Sequence, residues 1–165
     1  MKQITKVYNV FKLDELSKDA QSKAHENYIN NNEFIGLYDF LDEIARQELN
    51  ENGIKDLTPN GFKIFYSLSY SQGDGLQING TFEIDGRTIK IRQEGHYNHE
   101  RAINYTEQDE NGDELEDKYF DLFQKIFKQL TKEGYAYIEN ENSMETFKEI
   151  AEMNEYEFLE NGSLF

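Results

Sequence analysis

From Phe62 to Tyr70 the chain alternates: Phe62, Ile64, Tyr66, Leu68 and Tyr70 face one way and Lys63, Ser67, Ser69 and Ser71 the other. A period of two predicts a strand with one core face and one polar face. It is launched by the LTPNG turn around Pro59, the one proline of the chain, and followed by a polar turn over residues 72–75. Beyond that turn Leu76, Ile78, Phe82 and Ile84 resume the alternation, and Asp85-Gly86 predicts a two-residue hairpin turn of the primed type. Pairing about this turn sets Phe82 opposite Ile89 and Gly80 opposite Ile91. The apolar faces then agree, whereas a slip of one residue would turn every apolar side chain to the wrong face. Residues 102–106 are a fourth strand candidate that would complete an antiparallel meander.

Elsewhere the spacing is helical. Leu16 and Ser17 supply a staple residue and an N-cap for a helix to about residue 30, with Ala20, Ala24 and Tyr28 four apart. Leu37, Phe40, Leu41, Ile44, Ala45 and Leu49 predict a helix over residues 36–52, with Gly53 as its stop. Leu115, Tyr119, Leu122, Phe123, Ile126, Phe127 and Leu130 form one stripe over residues 114–133, where Gly134 is the expected C-terminal cap. Residues 135–138 are then expected to be extended. Asn142 with Glu145 should open a last helix, as a variant capping box, running to about Asn154, and Asn161-Gly162 should turn a small hairpin. A short strand is expected over residues 4–11. Helices flanking an antiparallel sheet of about four strands make the fold class α+β, in a single domain over residues 1–165.

A chain of 165 residues is long enough for one ordinary core. The absence of cysteine excludes thiol catalysis, thiolate metal sites and disulfides together, and fits a reducing compartment. No apolar run approaches the roughly 20 residues that span a bilayer, and no signal-peptide core follows Met1, so a soluble protein of a bacterial host cytoplasm is expected. Thirty-three acids against seventeen bases give a net charge of -16, which repels nucleic acid phosphate and anionic membrane alike. Residues 83–165 hold twenty-one of those acids and nine of the bases. An aromatic content of 14% separates this chain from disordered acidic tails, which are poor in aromatics.

Three segments carry a family resemblance: YSLSYSQGDG at residues 66–75, GHYNH at residues 95–99, and NEYEF at residues 154–158 followed by Asn161-Gly162. Together they resemble a family of small phage and prophage accessory proteins, over most of the chain from the first helix onward. The resemblance implies a phage origin and brings no chemistry with it.

Asp74, between two glycines, is open to two readings: a catalytic or metal-binding carboxylate on an exposed loop, or the side chain that organises a tight turn. His96 and His99, with Tyr97 beside them, would join Asp74 as a metal site only if a bulge or turn near Gly95 let both rings converge, since residues three apart on a strand point to opposite faces. The segment 107–117, EQDENGDELED, suggests a calcium loop but fails in detail. Counting from Asp109 places Glu114 where the glycine is required and Phe120 where the bidentate carboxylate is required. Its acids instead suit the positive end of the helix that follows. The Gly-x-Ser-x-Gly elbow, the phosphate-binding loop and the dinucleotide fingerprint are missing, so no catalytic residue, cofactor or metal is expected.

The acidic surface is the remaining candidate. Residues 107–121 hold eight acids and one lysine, and residues 133–160 nine acids and one lysine. The leading expectation is a non-enzymatic, phage-encoded anti-defence inhibitor of the anti-CRISPR kind. It would occupy the basic nucleic acid channel of a host nuclease or other defence complex. Its contact residues would be Glu107, Asp109, Glu110, Asp113, Glu114, Glu116 and Asp117, with Glu139, Glu141 and Glu145 as a second row. The alternative is a small-ligand or metal-binding protein whose site is built by Tyr70, Gln72, Asp74, His96, Tyr97 and His99. A third reading, an oligomeric interaction module, draws on twelve Phe and eleven Tyr, more than one small core readily hides.

Overall fold

The structure is a computed structural model that describes residues 5–93, 103–105 and 117–165. Its elements are α1 (Lys18–Asn31), α2 (Leu37–Glu51), β1 (Lys55–Asp56), β2 (Lys63–Ser67), β3 (Gly75–Ile84), β4 (Arg87–Gln93), β5 (Ile103–Tyr105), α3 (Asp117–Glu141) and α4 (Met144–Met153). The fold is α+β, an open antiparallel sheet with helices. Packing divides the chain into two compact units, a sheet unit over Ile35–Tyr137 and a helical unit of Met1–Phe34 with Ile138–Phe165.

In the sheet unit, β3 pairs with β1, β2 and β4, and β4 pairs with β5, all antiparallel. The hairpin register is the one the alternation demands, with Phe82 opposite Ile89 and Gly80 opposite Ile91. Asp85 and Gly86 both have positive φ, 50° and 74°, as a type I′ turn requires. β1 and β2 act as one interrupted strand. Lys55 and Lys63 are eight residues apart, yet their partners Glu83 and Asn79 are four apart, so four residues loop out between them. Two side chains hold this excursion: Asp56 accepts from the Thr58 and Phe62 amides at 2.8 and 3.1 Å, and Thr58 Oγ1 accepts from the Thr81 amide at 2.9 Å. Thr58 thereby satisfies a ladder donor that the interruption would otherwise leave open.

The even-numbered face of β3 is apolar, and Leu76, Ile78, Phe82 and Ile84 are buried there with Ile64, Ile89 and Ile91. Helices α2 and α3 contribute the rest of this core through Leu37, Leu41, Ala45 and Leu49, and through Phe123, Ile126, Phe127 and Leu130. Ring contacts tie the layers: Phe82 lies 5.5 Å from Phe123, and Arg46 stacks 4.8 Å over Phe62 while its guanidinium pairs with Asp42 at 2.7 Å. The helical unit has its own core of Leu13, Leu16, Ala20, Ala24, Phe147, Ala151 and Phe158. Small residues on α1 let Phe147 of α4 sit between the rings of Tyr28 and Phe158, at 4.9 and 6.2 Å. Ser17 caps α1 as expected, accepting from the Ala20 amide at 3.2 Å.

Four sequence expectations are corrected. Gly134 does not end α3, which continues to Glu141 and takes residues 135–138 into the helix. A Cβ at Gly134 would lie 2.5 Å from Leu68 Cδ1 and 3.4 Å from Leu41 Cδ2, so this glycine serves close packing, not termination. The strand expected to reach Tyr70 ends at Ser67, because Tyr70 takes a positive φ of 58° within the turn. The cap of α4 is Ser143, which accepts from the Thr146 amide at 3.0 Å, one residue later than Asn142. Asn142 instead uses its backbone oxygen on His25 Nε2, at 2.8 Å. Residues 5–10 are not a strand: a strand needs a paired neighbour, and here only Phe11 finds one, bridging to Phe158.

Gly162 turns the C-terminal loop at φ 83°, and a Cβ there would overlap the Ala20 backbone oxygen; Gly53 has φ 69° with open space around it. Gly53→Ala is therefore expected to cost about 1 kcal/mol for the left-handed backbone alone, and Gly162→Ala more than about 2 kcal/mol, measured by chemical denaturation. Equal losses at both positions would show that the contact with α1 is absent.

Candidate functional site

The SLSYSQGDG segment folds around the Asp74 carboxylate. Oδ1 accepts from the hydroxyls of Ser67, Ser69 and Ser71 at 2.9, 3.1 and 2.9 Å. Oδ2 accepts from the backbone amides of Ser69 and Ser71 at 2.6 and 3.0 Å, and from the Tyr135 hydroxyl of α3 at 2.6 Å. The alternating serines, which the pattern assigns to a polar outward face, converge on one acid instead. The resulting turn carries Tyr70 against Tyr135 with ring centroids 4.7 Å apart, although Tyr70 stays 65% exposed. Gln72 is exposed at the tip.

These contacts decide the protonation states. Burial by itself would raise the Asp74 pKa, but the donors from Tyr135, from the Ser71 amide and hydroxyl and from Ser67 outweigh it and hold the carboxyl well below its usual range. For Tyr135, burial and then the hydrogen bond to Asp74 act in the same direction, and the phenol is pushed up to about 12. Neither group exchanges a proton near neutral pH. A carboxylate already accepting six donors has little capacity left for a metal or a substrate proton, so in this geometry Asp74 fixes a loop to a helix. Among the described residues no group of three or more His, Asp or Glu side chains is placed to hold a metal ion.

Of the remaining candidates for a ligand site, His96, Tyr97 and His99 lie outside the described residues, so of that set the structure brings together only Tyr70 and Asp74, both through Tyr135. Of the acidic candidates, Glu107, Asp109, Glu110, Asp113, Glu114 and Glu116 also lie outside the described residues, and Asp117 is the first residue of α3. Glu139 and Glu141 fall in the last turn of α3, and Glu145 in the first turn of α4. Glu139 and Glu145 are exposed; Glu141 is half-buried, and its backbone oxygen accepts from Tyr28 at 3.2 Å. Glu149 and Glu152 extend the row along the outer face of α4, opposite the buried Phe147 and Ala151. That extension is legible in the sequence as acids at helical spacing around the apolar positions. Tyr135 is not, because nothing local links it to a turn sixty-one residues earlier.

Among the described residues a cleft of about 680 Å³ opens in the helical unit, lined by Lys12, Leu13, Asp14, Lys148, Glu152 and Tyr156, among others. Lys12 Nζ donates to the Glu155 backbone oxygen at 2.9 Å there. Charges of both signs ring this cleft and select no ligand class. No helix among the described residues is long and apolar enough to cross a membrane.

Asp74→Asn replaces an acceptor with an amide that faces donors, and should cost about 2 kcal/mol at neutral pH; Tyr135→Phe should cost about 1 kcal/mol. A depressed carboxyl pKa stabilises the fold above the unfolded value of 3.8 and loses that contribution as pH falls through the folded value. The stability gap between wild type and Asp74→Asn should therefore shrink below pH 4. A raised phenol pKa acts at the other end: its contribution is complete below 10.0 and lost as pH rises towards about 12, so the Tyr135→Phe gap should close in that window. Denaturant melts across pH measure both, and gaps that do not change with pH would remove Asp74 from the centre of the turn.

No family model, curated protein or solved structure matches this chain at a significant level, so its functional reading rests on its own residues.

Proposed function

We propose that this protein is a non-enzymatic inhibitor that binds a basic, nucleic-acid-binding host protein through the acidic face of its helical unit. The observation that carries the reading is the row of Glu139, Glu145, Glu149 and Glu152, exposed carboxylates held on folded helices and without an ion-pair partner among the described residues. Residues 138–165 contain eight acids and one base, Lys148. On α4 the acids recur every three to four residues, about one charge per 5 Å of axis, of the same order as the roughly 3.4 Å between charges along one DNA strand. A rigid array of this spacing suits a channel built for phosphates, and complementary fields speed the encounter. The resemblance to phage accessory proteins suggests the partner class, a defence nuclease complex of the kind anti-CRISPR proteins block. The acids of residues 107–117, whose side chains lie outside the described set, add to the negative charge.

The test is capture from a bacterial lysate on immobilised protein, followed by competition with duplex DNA and by comparison with the Glu139→Lys, Glu141→Lys, Glu145→Lys variant. A retained nucleic-acid-binding protein, displaced by DNA and bound at least tenfold more weakly by the variant, is the expected outcome. Capture unaffected by either DNA or charge reversal would overturn the mimicry mechanism.

A further inference from the structure

In a chain of net charge -16, the middle of the outer face of α3 departs from the acidic norm. Residues 122–132 contain three lysines and no acid. Lys125, Lys128 and Lys132 are all exposed, on the side of the helix opposite the buried Phe123, Phe127 and Leu130. They border a groove of about 420 Å³ shared with the end of α2, where Glu48, Asn52, Ile126 and Gln129 complete the lining. None of the three lysines is ion-paired among the described residues.

The same chain carries the matching surface. Read from the C-terminal end of α3, Lys132, Lys128 and Lys125 are separated by four and then three residues. Read forward along α4, Glu145, Glu149 and Glu152 are separated by four and then three. Two helices laid antiparallel therefore bring three opposite charges to matching heights, with steps of about 6 and 4.5 Å along both axes. Laid parallel, the order of steps is reversed on one helix and the middle pair falls out of line by one residue, about 1.5 Å.

We infer that the lysine face of α3 is a docking surface for α4 of a second copy of this chain, making a head-to-tail contact between Lys125, Lys128 and Lys132 of one copy and Glu152, Glu149 and Glu145 of the next. The contact joins two different faces, so it closes a pair of copies where it is made reciprocally and builds rings or chains where it is not. Net repulsion between copies acts over long range and is screened beyond about 8 Å at 0.15 M salt, whereas pairs in contact at about 4 Å persist there and weaken near 1 M. Association is thus strongest at intermediate ionic strength. It also competes with any basic partner for the α4 carboxylates, yet it does not depend on that partner.

Sedimentation equilibrium of the purified chain over a range of concentrations at about 0.15 M salt tests this. The average mass should rise with concentration, and the Lys125→Glu, Lys128→Glu, Lys132→Glu variant and the Glu145→Lys, Glu149→Lys, Glu152→Lys variant should each associate at least tenfold more weakly. Mixing the two variants should restore association, because every contact is again of opposite sign although both proteins remain net negative. Should a triple variant fail to fold, judged by circular dichroism, the central pair Lys128→Glu and Glu149→Lys gives the same comparison with two exposed substitutions. A wild type that stays monomeric, a reversal variant that associates like wild type, or a mixture of folded variants that stays monomeric overturns the inference. The lysine variant leaves the α4 carboxylates in place, so loss of self-association with intact capture of a basic partner separates this contact from the inhibitor surface.

Discussion

β3 is the constraint on which the sheet unit rests. Every other described strand pairs with it or with its hairpin partner β4, and its residues 75–78 are buried in succession, so both of its faces are covered along that stretch. A strand buried on both faces tolerates no slip: one residue of register would exchange Leu76, Ile78 and Phe82 with Gln77, Asn79 and Thr81. The Asp85-Gly86 turn sets that register from one end and the Thr58 hydroxyl, seated on Thr81, defends it where the neighbouring strand is interrupted. Gly80 follows from the same crowding, since a Cβ there would lie 2.6 Å from Thr58 Oγ1.

The Asp74 turn anchors the start of β3 to α3 through Tyr135, and the resulting arrangement resembles a catalytic loop only in composition. Glycines on both sides of an acid, flanked by hydroxyls, are what a nucleophile or metal site would use. Six donors converging on two oxygens turn the same residues into a fastener whose protons are bound too tightly, or lost too early, to move at neutral pH. With the turn accounted for by its own hydrogen bonds, the distinctive chemistry of the described residues lies in the distribution of charge over the helices. Exposed Lys125, Lys128 and Lys132 on α3 and exposed Glu145, Glu149 and Glu152 on α4 each stand behind a buried apolar stripe.

Hydrophobic periodicity and turn chemistry determine much of this protein independently of its long-range packing. The hairpin at Asp85-Gly86 with its register, the α1 N-cap at Ser17, the extent of α2 and the apolar stripe of α3 all follow from interactions between residues close in sequence, where spacing alone states which side chains share a face. The acidic row on α4 is legible for the same reason. Tertiary structure decided the rest wherever a residue's role depended on a distant neighbour. Gly134 has the local signature of a helix stop, but Leu68 and Leu41 need the space its missing Cβ leaves, and the helix runs on. Ser67, Ser69 and Ser71 look like the wet face of a strand until Asp74 and Tyr135 collect their hydrogen bonds, and β1 and β2 look unrelated until both are laid along β3. Local pattern fixes what a segment prefers, and only the contacts made across the fold determine whether that preference is used.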